Sequence, residues 1–386
     1  MMKTAWENYQ QLCDRIFGKG SIVIKPTDKS NNIIGALNNP SDFIEFKTIF
    51  QKRLERLRRK FEGTTSYTVL KKTVKQIADP FNWEGAYAEI VAYDILHNGH
   101  HGSEFILDVT LDGKESYASD LGGKLTNENG YLPDYDIYFD VKSLADTTGN
   151  ILKELIYEAC HKAGISSVCS ILPEYPLDDD ESEYQQKRRQ LFDELRDYLA
   201  ANKPAKHSLK SSFRSHVLPS VLYHVLWGCG VNGTEGTYNA TKHGENSRYI
   251  ILKRYAKKFM KSHPSIIVLV NFPWYNNRIN SFANADEEYY KKLAHETFSG
   301  YLNSSEPMSK INPKYKGSET PHEISRHLTG VLFIDDHSIY TDTYSCHLYL
   351  NPNAVNKIEN GNSYLKEVVK EADTHSIVDT LRNDNC

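Results

Sequence analysis

Short runs of β-branched and aromatic residues alternate with amphipathic helical stretches along most of this chain. That alternation restricts it to α/β or mixed α+β folds, in which one sheet carries helices on its faces. Strands are expected at Glu104 to Val109, Ile165 to Leu172, Ser265 to Asn271, Leu328 to Ile334 and Tyr344 to Leu350. Ser21 to Ile24 reads as a further short strand. Helices are expected over 41–62, where Phe46, Ile49, Phe50, Leu54 and Leu57 return at three- and four-residue steps, and over 67–78, 83–97, 150–163 and 249–260. Residues 1–79 read as an N-terminal helical region, and 80–386 as the main domain. A polar, largely helical insertion is expected at about 174–246, with an exposed helix at Glu181 to Leu199 and a more apolar one at Phe213 to Leu226.

The segment Asp134-Tyr135-Asp136-Ile137-Tyr138-Phe139-Asp140-Val141-Lys142-Ser143-Leu144 alternates charged with aromatic and β-branched residues, the period of a half-buried strand. Asp140 and Lys142, two apart, then share one face. A carboxylate beside an ammonium on one strand face suits phosphodiester hydrolysis. The acid helps hold a divalent cation that activates water, and the lysine orients that water or offsets charge growing on the phosphate. Asp134, after Pro133, enters the same element, with Asp136 as the rival first acid. Glu89 lies one helical turn beyond Gly85, among Ala88, Ile90 and Val91, an apolar setting for a carboxylate.

Pro133-Asp134, five residues and then Asp140-Val141-Lys142 resemble the PD-(D/E)xK motif of restriction-endonuclease-like nucleases. Gly85-x-x-x-Glu89 is similar to that superfamily's first helix, which often contributes a metal-binding glutamate. The resemblance spans about 83–172 and includes the order helix with Glu, strand, strand with Asp, strand with Asp-x-Lys, helix, strand. It implies a mixed central sheet flanked by helices, and a metal-dependent nuclease with Glu89, Asp134 and Asp140 on magnesium, or on manganese in its place. Lys142 is its catalytic cation and DNA its substrate, with RNA as the alternative. It further implies a homodimer and a role in restriction or anti-phage defence. One departure carries weight: six steps of unbroken strand would part Asp134 from Asp140 by about 20 Å. A turn near 136–138, or Asp134 on a loop, is therefore required.

Composition excludes several other classes. No apolar run is long enough to span a bilayer, and the first residues lack a secretory pattern. Six scattered cysteines without a CxxC pair form neither a disulfide framework nor a zinc ribbon, and fit a reducing cytoplasm. The net charge of -4 does not advertise nucleic acid. Basic clusters at 52–60, 187–189 and 253–261 could neutralise phosphates locally, although each also reads as a solvated helix face. Glu154 and Glu158, one turn apart, and Lys153 read as solvent-exposed; His97, His100 and His101 read as a loop cluster, and Gly228 to Gly233 as a turn.

Overall fold

The computed structural model describes residues 2–26, 31–39, 41–79, 82–98, 104–109, 116–117, 121, 128–144, 147–165, 169–174, 181–202, 210–227, 250–272, 285–299, 305–358, 364–365, 368 and 378–379. The chain divides into two compact units. The first comprises Met1–Leu144, Ile251–Trp274 and Ala294–Cys386, and the second Ala145–Ile250 and Tyr275–Leu293.

The first unit opens with five helices, α1 (Met2–Phe17), α2 (Asn32–Leu37), α3 (Phe46–Phe61), α4 (Ser66–Gln76) and α5 (Trp83–Asn98). Trp6, Tyr9, Leu12, Cys13 and Ile16 bury one stripe of α1, at the spacing a helix needs. The expected strand at 21–24 is absent, because Gln10 of α1 takes its backbone: Ile24 N donates to Gln10 Oε1 (2.8 Å), and Gln10 Nε2 donates to Ile22 O (2.8 Å). Helix α5 is apolar nearly all round and correspondingly buried from Ala86 through Leu96, with Glu89 alone in that span half-buried.

Strands β1 (Ile106–Val109), β2 (Glu128–Leu132) and β3 (Ile137–Ser143) follow as an antiparallel meander. In the second unit lie α6 (Thr147–Lys162), β4 (Cys169–Glu174), α7 (Glu181–Ala201), β5 (Lys210–Arg214) and β6 (Leu222–Trp227). The chain returns to the first unit through α8 (Ile250–Tyr255) and β7 (Ser265–Asn271). It leaves once more before α9 (Ala285–Ser299), then continues with α10 (Met308–Ile311), α11 (Pro321–Ser325), β8 (Gly330–Asp336), β9 (Tyr344–Leu350) and β10 (Val378–Asp379).

The main sheet runs β1-β2-β3-β7-β8-β9-β10, with β10 a two-residue strand at its edge. Strands β3, β7 and β8 are mutually parallel and β9 is antiparallel to β8, so the sheet is mixed. The three parallel strands are almost wholly buried, which is why Ser265 to Asn271 reads as a continuous apolar run. The strand beside β3 is β7. The expected strand after α6, observed as β4, instead pairs with β6 in a separate three-stranded sheet of order β4-β6-β5.

That second sheet corrects the helix expected at Phe213 to Leu226. Lys210–Arg214 and Leu222–Trp227 each alternate in exposure, and they pair antiparallel around the turn at Pro219-Ser220. Phe213 stacks between Tyr198 of α7 (3.9 Å) and Tyr223 (5.0 Å), so aromatic packing secures the hairpin. Helix α7 packs on α6, where Arg188 bridges Glu154 and Glu158 at 3.0 Å each. Both glutamates face solvent.

A buried ionic network joins α3, α5 and β8. Arg53 donates to Asp94 (3.2 Å), Asp336 (2.9 Å), Tyr87 (3.3 Å) and Ser338 (3.3 Å), while Arg56 adds a second guanidinium on Asp94. Tyr87 OH in turn donates to Asp336 (2.9 Å). Burial alone would lower the pKa of Arg53, but the charges of Asp336 and Asp94 outweigh it and raise it above the ordinary arginine value. Residues 1–79 therefore belong to the same unit as the sheet. Part of the basic cluster at 52–60 serves this network.

Replacing Arg53 with Met leaves Asp336 and Asp94 buried without that partner, and should cost about 3–5 kcal/mol. Replacing its exposed neighbour Lys52 should change stability by less than about 0.5 kcal/mol. Chemical denaturation midpoints of the two variants check this contrast.

Candidate active site

Asp140 lies within β3, paired in register with Ile267 of β7, and its side chain is 1% exposed. Alternation places Phe139 on the opposite face, where it meets Phe105 edge-on (6.4 Å). Lys142 Nζ is 2.7 Å from Asp140 Oδ2, with its own side chain partly open to solvent. A second ammonium, that of Lys258 in the short 3-10 turn Ala256–Lys258 after α8, lies 3.2 Å from Asp140 Oδ1. Two cations thus grip one buried carboxylate. Among the described residues, no donor forms a hydrogen bond of good geometry to either oxygen. The ring of Tyr255 lies 5.9 Å from the Lys142 ammonium.

Glu89, midway along α5, accepts a hydrogen bond from Thr73 Oγ1 of α4 (3.0 Å). Burial raises its pKa above the ordinary glutamate value. Thr73, Lys142 and Tyr93 oppose that rise, and the Asp140 charge adds to it. Glu89 is therefore electrostatically coupled to both Asp140 and Lys142.

The other expected ligand is elsewhere. Asp134 sits exposed in the one-turn 3-10 helix Pro133–Tyr135 ahead of β3. The chain does turn here, since Asp136 is left-handed (φ 53°). From Ile137 onward β3 runs unbroken to Ser143. The turn thus comes too early to fold Asp134 back onto Asp140. Asp136, four steps or roughly 13 Å of strand from Asp140, is occupied by Tyr131 OH (3.0 Å) and His263 Nδ1 (2.9 Å). The structure pairs Asp140 with Lys142, whose charges also act on Glu89, and leaves Asp134 ahead of the strand. Among the described residues, no three His, Cys, Asp or Glu side chains gather closely enough to hold a metal ion.

Lys258 was the residue hardest to find from sequence. Its basic run, Lys253 to Lys261, is visible, but nothing local ties that run to β3. Of the other sequence candidates, His100, His101 and Gly228 to Gly233 lie outside the described residues. His97 is half-buried against Phe61 (6.3 Å), and burial lowers its pKa to about 4.

No protein-family model, curated protein or solved structure matches this chain. Among the described residues, no helix is long and apolar enough to cross a membrane.

The raised pKa of Glu89 has a definite sign in stability. The folded state favours the protonated acid, so its contribution is fully present below the ordinary glutamate pKa of about 4.3 and is lost as pH rises through the higher folded value. Glu89→Gln should therefore melt higher than the wild-type chain at neutral pH, and the gap should close on acidification below that ordinary value. Paired thermal melts across pH measure it; an equal gap at every pH would contradict the assigned cause.

Proposed function

We propose that this chain is a magnesium-dependent nuclease that hydrolyses phosphodiester bonds, with DNA as substrate. The observation that carries the reading is a carboxylate held at 1% exposure between two lysines on a central strand. Burying a charge is costly, and a buried ion pair adds little net stability over apolar packing of similar volume. Such an arrangement is better explained as chemistry than as architecture. The order of elements through β3 also supports the resemblance, α5 with Glu89 and then β1, β2 and β3 with Asp-x-Lys; the strand after α6 departs from it, since β4 pairs in the second sheet and β7 lies beside β3.

The donor set suits an ion that needs only one or two protein carboxylates and keeps several waters. Asp140, free of neutral hydrogen-bond donors among the described residues, and Glu89 would supply these; Asp134 is not part of the set. When bound, the ion polarises a phosphoryl oxygen and lowers the pKa of a coordinated water. The chain's own residues do the rest. Glu89 must lose its proton to serve, so its raised pKa sets an acidic limit on activity. The Lys142 ammonium, two residues beyond Asp140 and partly open to solvent, offsets the negative charge that builds on the phosphate. The water oxygen would form the new P–O bond as one of its protons passes to solvent, the ester P–O bond breaks, and the leaving alkoxide takes a proton from solvent. A homodimer in the cytoplasm acting in restriction or anti-phage defence completes the reading.

A binding protein without turnover is the second reading. It is favoured by the position of Asp134, which leaves the site one carboxylate short of the expected triad.

Purified protein with plasmid DNA and magnesium or manganese should give nicked or linear product. Asp140→Asn and Lys142→Met should each slow that cleavage by about 10²-fold or more. Cleavage persisting in both variants would refute the assignment. DNA binding without cleavage by any of the three proteins would favour the second reading.

A further inference from the structure

We propose that Lys258 is a place-holding cation of this site: it covers Asp140 Oδ1 in the metal-free protein and moves to a phosphate oxygen when a divalent ion takes the carboxylate. The inference rests on the nuclease reading and adds to it a residue outside the sequence motif.

Both oxygens of Asp140 are already covered by ammonium groups, Lys142 on Oδ2 and Lys258 on Oδ1. A magnesium ion sits about 2.0–2.1 Å from its ligand oxygens. An ion that close to Oδ1 is repelled at short range by an ammonium 3.2 Å from the same oxygen, so the two compete for it. Of the two lysines, Lys258 is the one on a separate element, so its departure leaves the Asp140–Lys142 pair intact.

The backbone under Lys258 is held on both sides. Ala256, Phe259 and Met260 are fully buried. Tyr117 N donates to Phe259 O (3.2 Å), and Ser116 bridges Met260. Upstream, Lys253 O accepts from Asn312 Nδ2 and Tyr315 OH, both at 2.8 Å; downstream, Lys261 O accepts from Asn356 Nδ2 (3.1 Å). The exchange is thereby confined to a side chain, and a four-carbon stem with rotatable bonds can move its charge several ångströms without moving the chain. Lys257 and Lys261 lie over the rings of Tyr315 (5.0 Å) and Tyr117 (5.2 Å). Neighbouring cations are thus parked on aromatic faces, while Lys258 faces the acid.

Charge decides where the displaced ammonium goes. Asp140, Lys142 and Lys258 together carry one excess positive charge, and a divalent ion raises that excess to three. An ionised Glu89 and a phosphodiester each remove one. The ion and the phosphate therefore reinforce each other, with Lys258 as the exchanged charge.

The test is titration of Mn2+ by water-proton relaxation in the wild-type chain, Asp140→Asn, Lys258→Met and Lys258→Gln, each checked for folding by thermal melt. A second measurement is the affinity for a fluorescein-labelled DNA duplex in Ca2+. Removing the competing ammonium should tighten Mn2+ about fivefold in the Lys258 variants, while Asp140→Asn loses Mn2+ and duplex affinity falls in the Lys258 variants. Loss of Mn2+ by Asp140→Asn with unchanged or weaker Mn2+ binding in both Lys258 variants overturns the role of Lys258 and leaves the nuclease reading standing. Unchanged duplex affinity overturns the transfer to phosphate. Absence of Mn2+ binding by the wild-type chain, or equal binding by Asp140→Asn, overturns both readings together. If Lys258→Met fails to fold, Lys258→Gln, which keeps a polar end, decides the outcome.

Discussion

The guanidinium of Arg53 sits where three elements distant in the chain meet, and its bonds to Asp94, Asp336, Tyr87 and Ser338 clamp α3 and α5 to the end of β8. The guanidinium serves four acceptors at once, more than the three N–H donors of a lysine ammonium could reach. Two acids, Asp94 and Asp336, are met by two guanidinium groups, those of Arg53 and Arg56, so the buried charge is balanced. Through this contact the N-terminal helices become one wall of the unit that contains the main sheet, and α5 is held where Glu89 feels both Asp140 and Lys142.

The same electrostatic logic recurs at Asp140, with a different balance. At Arg53 each of the three nitrogens donates to an acceptor of fitting geometry. At Asp140 the carboxylate is surrounded by ammonium groups at ion-pair distance yet lacks well-aligned hydrogen bonds among the described residues. The first arrangement is suited to holding a structure together. The second leaves the oxygens able to change partners, as the proposed exchange with a metal ion requires. Glu89 adds a cost of its own, since a carboxyl pushed toward its neutral form destabilises the folded chain at neutral pH unless a cation compensates.

Much of the architecture was legible because its cause is local. Helix α5 and strands β3, β7, β8 and β9 all declare themselves through residue periodicity, and each formed close to its expected bounds. Where the structure departs from local pattern, the cause is physical. The segment of the hairpin β5–β6 reads as a helix because its apolar aromatics mimic a helical stripe, yet Pro219 between the two strands marks the turn that parts them. Ser21 to Ile24 has strand composition, but its backbone bonds were taken by Gln10 rather than by another strand. In the site, the Asp140–Lys142 pair followed from alternation along one strand. The place of Asp134 did not, because it depends on whether the chain turns before or after Ile137.

By itself the sequence determined which segments bury a face, which pair of charges shares a side of β3, and that an acid on α5 stands in apolar surroundings. These are consequences of spacing along a helix or strand. Tertiary structure alone decided that β7 rather than β4 lies beside β3, that Arg53 is interior, and that Lys258 closes on Asp140. Each of those outcomes pairs residues separated by long stretches of chain. Their selection rests on competition among whole-sheet arrangements and on desolvation, neither of which leaves a mark on the neighbouring residues in sequence.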